Sequence, residues 1–184
     1  TEVLCEGACV RTAQEERPVR IGALQRYATD WLFDAGVQLF KAGPVSGKKV
    51  AVVGGGPAGL SCAHRLAMLG HAVTVYEARA KAGGLNEYGV AAYKVAGGIA
   101  QREVDYLLAV GNIQVHAGNA LGRDISLAQL RREYDAVFLG AGLGGVNDLG
   151  IEEGAVSGVF DAIGYIETLR QAKNIAALPV GRNV

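Results

Sequence analysis

The chain has 184 residues, half of them apolar and 20% charged, and its 18 Lys+Arg balance its 18 Asp+Glu. That length can bury one sizeable core plus a small appendage. A net charge of zero gives no support for nucleic acid or an anionic membrane surface as a partner. No run approaches the roughly 18 apolar residues needed to span a bilayer. No signal peptide is read, and because the chain begins at Thr1 the true N-terminus is expected to lie upstream. The cysteines are Cys5, Cys9 and Cys62; an odd number without a secretory leader argues against a disulfide framework and for a reducing, cytoplasmic compartment.

Taken in chain order, Ile21 to Gly36 reads as a helix, with Leu24, Tyr27, Ala28, Trp31 and Leu32 at helical spacing. The stretch AGPVSGKK, residues 42–49, reads as a linker. Val50 to Val53 is a β-branched run expected to be a buried strand, Pro57 to Leu69 a helix stopped by Gly70, and Val73 to Tyr76 a second strand. Residues 78–95 lack periodicity and are Gly-rich, which predicts a long loop, and a loop of that length inside a domain is usually functional. A helix follows over Ile99 to Val110, a strand over Ile113 to His116, a short helix over Leu127 to Tyr134 with Ser126 as N-cap, and a strand over Ala136 to Leu139. A last helix is expected from Phe160 to Ala172, and LPVGRNV reads as a turn entering a strand that reaches Val184. Strands alternating with helices predict an α/β domain with a parallel sheet covered on both faces.

The stretch from Gly54 to Gly59, GGGPAG, is a Gly-x-Gly-x-x-Gly turn between a strand and a helix, the context in which that motif binds dinucleotides. Gly54 permits the tight turn, Gly56 lets backbone approach a pyrophosphate, and Gly59 lets the helix lie close to the strand. Free N–H groups at the helix start favour the anion, and Pro57 sits where a missing N–H costs nothing. Glu77 lies 18 residues beyond Gly59 at the end of the second strand. A carboxylate there accepts from ribose hydroxyls and repels a 2′-phosphate. A second glycine pair, Gly83-Gly84, followed by Leu85, and a third cluster, Gly140 and Gly142, suit close passage along an extended FAD better than along a dissociating NAD. The competing reading of these glycines is ordinary turns. His64, His71 and His116 are dispersed, and no side chain is a convincing acid, base or nucleophile, so no catalytic residue is assigned. Cys62 reads as a small core residue. Cys5 and Cys9 are either two inert thiols or metal ligands, and their spacing alone does not decide.

GGGPAGLSCAHRLAMLGHAVTVYEARAKAGGLNEYGV and LGRDISLAQLRREYDAVFLGAGLGG resemble the FAD domain of the glutamate synthase small subunit and dihydropyrimidine dehydrogenase group, over nearly the whole chain. LCEGACVRTAQEERPVRIGALQRYATD is similar to the end of that group's helical iron–sulfur domain. Gln25 and GAGLGGVN place the likeness on the NAD-dependent dihydropyrimidine dehydrogenase branch; the glutamate synthase branch carries a glutamate at the position of Gln25. The resemblance implies a Rossmann-like FAD-binding domain over 46–184, preceded over 1–45 by the end of the helical iron–sulfur domain. It implies FAD contacts at Gly54, Gly55, Gly56, Pro57, Ala58 and Gly59, at Glu77 and Ala78, at Gly83, Gly84 and Leu85, and at Leu121, with Gly140 and Gly142 alongside. Lys94 stands where the family has an arginine near the flavin, and the two are not equivalent donors. The stretch VAAYK, residues 90–94, departs from the family's Ile-Pro followed by an aromatic and arginine.

The resemblance also implies two [4Fe–4S] clusters, with Cys5 on one, Cys9 on the other and Gln25 an unusual ligand to the cluster of Cys5. Further ligands are expected upstream, so the clusters are expected to be absent or incomplete over residues 1–184. An NAD(P) domain and a last FAD segment are expected beyond Val184, leaving this stretch alone inactive. In the parent, electrons would pass from NAD(P)H through FAD and the clusters to an FMN-containing partner subunit that reduces uracil or thymine. The alternatives are an electron-input flavoprotein of the glutamate synthase type and a non-catalytic dinucleotide-binding module.

Overall fold

The computed structural model describes residues 4–15, 17–145, 150, 158–178 and 180–181. The chain divides into two compact units, Thr1–Leu39 and Phe40–Val184. In the first, helices α1 (Leu4–Gly7) and α2 (Thr12–Glu15) precede α3 (Ile21–Asp34). The Gly22 N–H donates to Glu6 Oε1 at 3.1 Å, tying α1 to the start of α3. The apolar stripe expected on α3 is present but exposed at Leu24, Tyr27 and Trp31, and no residue of α3 is buried.

Among the described residues the second unit is built on four parallel strands, β1 (Lys49–Val53), β2 (Ala72–Glu77), β3 (Ile113–Ala117) and β4 (Ala136–Leu139), in the order β3-β2-β1-β4. Helix α4 (Pro57–Met68) crosses from β1 to β2. A short helix α5 (Leu85–Tyr88) and α6 (Ile99–Leu108) connect β2 to β3, and α7 (Leu127–Glu133) connects β3 to β4. Helix α8 (Ala162–Gln171) follows. The strand pleat divides the core. Val52, Val73 and Val75 meet Ala63 of α4 on one face, with Cys62 half-buried against them. Ala51, Val53 and Tyr76 meet Ile125 and Leu130 on the other. Ser126 caps α7 by accepting from the Gln129 N–H at 3.1 Å. Most residues of the inner strands β1 and β2 are buried, but both edge strands are poorly covered: β3 has no buried residue, and in β4 Leu139 is 55% exposed.

Several element readings are corrected. The AGPVSGKK stretch is not free: Ala42, Gly43 and Ser46 donate their N–H groups to the carbonyls of Val110, Ala67 and Gly70. The Ser46 hydroxyl meets His71 Nδ1 at 2.6 Å. The loop over 78–95 contains α5, and a 3₁₀ turn runs over Ile175–Ala177. In the LPVGRNV stretch the described residues Leu178, Val180 and Gly181 are in no strand; its other residues, and the Val146–Asn147 part of GAGLGGVN, lie outside the described residues.

The strand order has a consequence for function. From β1 the chain runs to β2 and β3 on one side, then returns to β4 on the other. The sheet therefore has a topological switch point between β1 and β4, and ligands of open α/β sheets bind beyond the carboxyl ends of the strands at that point. Gly54 directly follows β1, and Gly140 directly follows β4.

Candidate dinucleotide site

At that switch point three glycine clusters distant in sequence meet. The Gly54 N–H donates to Tyr76 O at 2.8 Å and the Gly140 N–H to Val53 O at 2.7 Å, so both turns continue the sheet's own ladder. Gly54 has φ +100, and a Cβ there would strike the Gly140 carbonyl, whose carbon is 2.7 Å away. Gly59 lies against the same turn: a Cβ would overlap the Gly54 carbonyl oxygen and stand 3.1 Å from Val52 Cγ1. The second pair joins through backbone. The Gly83 N–H donates to Gly55 O at 2.7 Å, and Gly84, at φ +55, leaves no room for a Cβ, which would stand 2.7 Å from Gly56 Cα. Gly142, at φ +75, lies in open space.

Gly56 differs from its neighbours. It caps α4 in an extended conformation (φ −79, ψ −177), and a Cβ would find nothing nearer than Gly84 Cα at 3.7 Å. The fold therefore does not need glycine there. The space a Cβ would fill lies at the N-terminus of a 12-residue helix, where unpaired N–H groups and the helix dipole attract anions. Pro57 and Ala58 are exposed at this end. Glu77, 8% exposed at the end of β2, accepts from the Gly55 N–H at 2.7 Å through Oε2 and from the Arg79 N–H at 2.8 Å through Oε1. A carboxylate offers about four acceptor positions, so two remain for hydroxyl donors. These residues fit a nucleoside diphosphate with a ribose diol.

The other expected site residues are dispersed. Ala78 and Leu85 are exposed, Leu121 forms an isolated bridge with Ile125, and exposed Lys94 places Nζ 5.8 Å over the Tyr93 ring. A cavity of about 660 Å³ opens at the opposite, N-terminal end of the strands, lined by Lys49, Thr74, Asn112, Gln114, Glu133 and Tyr134, with no part of the glycine site in it.

In the first unit, Cys5 is exposed, Cys9 is half-buried and Gln25 is exposed on α3. The Val19 N–H donates to Cys9 Sγ at 3.5 Å; this bond, with one from Arg11, holds the thiol below its ordinary value. Two thiols and a carboxamide fall short of the four ligands of a [4Fe–4S] cluster, so these residues do not by themselves make one. Among the described residues no group of three or more His, Cys, Asp or Glu is arranged around a metal position.

Sequence reasoning missed Glu87. It is 6% exposed, with Gln171 Nε2 at 2.9 Å and Lys81 Nζ at 3.4 Å from Oε1, and Gln101 Nε2 at 3.0 Å from Oε2. Burial pushes its carboxyl up, but the bonds from Gln171, Gln101 and Lys81 outweigh burial and hold it below the ordinary value. It follows no periodicity and its partners are remote in sequence, so no local signal marks it.

Residues 1–37 match the family described as dihydropyrimidine dehydrogenase domain II, 4Fe-4S cluster, and residues 52–109 match the NAD(P)-binding Rossmann-like domain. The chain is 33% identical over 97% of its length to the Salmonella typhi NAD-dependent dihydropyrimidine dehydrogenase subunit PreT homolog, covering 43% of that protein. It is 35% identical over 89% of its length to the Escherichia coli glutamate synthase [NADPH] small chain, covering 34% of it. The chain is similar to both of these oxidoreductase subunits. It spans less than half the length of either relative. Mycobacterium tuberculosis FprA, solved with NADPH, shares the fold of 66% of this chain at a TM-score of 0.53 and 21% identity, covering 28% of FprA. No helix among the described residues is long and apolar enough to cross a membrane.

Proposed function

We propose that this chain is the FAD-holding part of an electron-input flavoprotein, which takes electrons from NAD(P)H and delivers them to a partner subunit that reduces uracil or thymine to the 5,6-dihydropyrimidine. The observation that carries the reading is the meeting of Gly54–Gly56, Gly83–Gly84 and Gly140 beside buried Glu77 at the switch point. A single glycine turn suffices for a dissociating nucleotide; a second and third backbone wall suit a long, resident one. Bound FAD would supply the exchange between hydride and single electrons.

The chain's residues would do the holding. The α4 N-terminus and Gly56 would seat the pyrophosphate, and Glu77 would accept from the adenosine ribose and disfavour a 2′-phosphate. Gly84 and Leu85 would run along the ligand, with Ala78 and Leu121 near the adenosine end and Lys94 toward the flavin. Cys5, Cys9 and Gln25 would supply part of the ligand sets of two [4Fe–4S] clusters, completed by residues outside 1–184. The acceptor would be an FMN-containing subunit in the cytoplasm; support comes from the relatives' description as dehydrogenase and synthase subunits. The 35% identity to the glutamate synthase small chain favours a second reading, electron input to a glutamate synthase partner. Gln25, where that branch carries a glutamate, argues for the first.

The test is the visible spectrum of the purified chain with the released ligand identified by mass. Flavin bands and released FAD are the expected result. A colourless chain that takes up NADH but not added FAD would replace the reading with a nicotinamide site.

A further inference from the structure

We propose that Glu87 is a positioning residue for the dinucleotide cradle: it clamps the Gly83–Gly84 turn against Gly55–Gly56 through partners on α6 and α8. The proposal rests on the dinucleotide reading of the cradle. Glu77 and Glu87 are the buried acidic residues of the described chain. Glu77 accepts from two backbone N–H groups and keeps acceptor positions open toward the cradle, whereas Glu87 accepts from side chains. Besides Gln171, Lys81 and Gln101, the Arg170 guanidinium lies 3.9 Å from Oε2 with its side chain only 8% exposed. Arg170 also donates through Nε to Glu87 O, and to Val90 O at 2.9 Å.

A buried, multiply bonded charge of this kind is weak evidence for stability, because well-packed apolar residues of similar volume often do as well. What this one adds is placement. Gln101 Nε2 donates to Glu87 and also, at 2.8 Å, to the carbonyl of Ala82, the residue before the turn. The Glu87 and Tyr88 N–H groups donate to Gly84 O at 3.1 and 3.0 Å. The Tyr88 hydroxyl accepts from the Lys81 N–H at 3.0 Å. Glu87 Cβ packs against Gly83, at 2.9 Å from where a Cβ on Gly83 would stand. Gly83 and Gly84 both hold positive φ and have no side chain of their own to keep them in place. Their position is set from outside by this network. A cradle wall set in advance lowers the ordering cost of binding.

In the full chain, Glu87→Gln keeps the side chain's shape but removes its charge and turns an amide donor toward other donors. We expect amide exchange at Gly83, whose N–H is bonded to Gly55, to quicken about tenfold, and the Kd for added FAD to rise about tenfold. ADP should weaken with FAD, because both carry the pyrophosphate that the turn faces, while adenosine keeps its affinity. Gln171→Leu removes one donor to the carboxylate and should shift both readouts the same way by less; it carries the test if Glu87→Gln does not fold. Unchanged exchange at Gly83 would overturn the proposal. So would equal weakening of FAD, ADP and adenosine, which marks a general loss of structure. If the wild-type chain binds none of the three, the dinucleotide reading falls, and exchange at Gly83 then decides the clamp alone: faster exchange supports it and unchanged exchange overturns it.

Discussion

Replacing Gly59 by alanine is the sharpest test of how the site is built. In an open helical position the change would stabilise by roughly 0.5–1 kcal/mol, because glycine loses more backbone freedom on folding. At Gly59 the added Cβ would overlap the Gly54 carbonyl oxygen, 3.0 Å from its carbon and 3.1 Å from Val52 Cγ1. Neither the Gly54 turn nor β1 can yield, since the Gly54 N–H is bonded to Tyr76 and Val52 is fully buried. Helix α4 must retreat, carrying Leu60 and Ala63 away from the core they pack. Overpacking of this kind costs about 1–3 kcal/mol. For a domain of this size that is about 2–4 °C of Tm per kcal/mol, so the midpoint should fall by roughly 2–12 °C. Thermal unfolding followed by far-ultraviolet circular dichroism reads it, with urea unfolding at unchanged m-value as a check. A midpoint equal to or above wild type would refute the close strand–helix approach from which the cradle is derived.

Three further outcomes follow from the same structure. Glu77→Gln sets an amide donor against one of the two N–H groups the carboxylate now accepts, Gly55 at 2.7 Å or Arg79 at 2.8 Å, and should cost about 1–3 kcal/mol in urea unfolding. It should also raise the affinity for 2′-phospho-ADP-ribose relative to ADP-ribose, and an unchanged ratio would remove the ribose role. Leu130→Ala empties a fully buried site between α7 and the sheet and should cost about 2–5 kcal/mol; an unmoved urea midpoint would contradict that packing. Burial, together with the hydrogen bond shared with Tyr134, pushes the Tyr76 phenol up to about 12. Above the ordinary phenol value the folded state then holds a proton that the unfolded state has lost. This contribution is therefore complete below pH 10 and fades as pH rises toward 12. Tyr76→Phe should flatten that alkaline decline, and an unchanged slope would show that Tyr76 is not its source.

The sheet was legible because its physics is local. Val50 to Val53 and Val73 to Tyr76 are runs rich in β-branched residues, the first stopped by Gly54 and the second preceded by the helix stop at Gly70, and each strand in the structure begins one residue earlier. Ser126 announced α7 through its capping hydroxyl. Gly54 to Gly59 announced the cradle because Gly54 and Gly59 answer steric demands where strand, turn and helix meet, while the place of Gly56 in the spacing follows from what the turn would hold. The way Gly83 and Gly140 close on that turn is carried by long-range backbone contacts, which composition suggests but does not position. Glu87 was illegible: a carboxylate between Asn86 and Tyr88 in a loop reads as solvated until Gln101, Arg170 and Gln171 fold over it. The linker reading of 42–49 failed for a similar reason. Pro44, Ser46 and Gly47 have turn chemistry, yet the backbone around them is bonded to α4 and to the residue that ends the α6 turn.

On the proposed function, the space beside Gly56 is kept open for a pyrophosphate and not for the fold. Gly56→Ala separates the two, because its Cβ meets only ordinary contact at 3.7 Å and its backbone is extended. The decisive measurement is FAD binding to Gly56→Ala, read beside its thermal midpoint. The expected result is an unchanged midpoint and an affinity for FAD lowered by about tenfold or more, the equivalent of one lost anion contact. Wild-type FAD affinity in the folded variant would contradict it and place the ligand elsewhere.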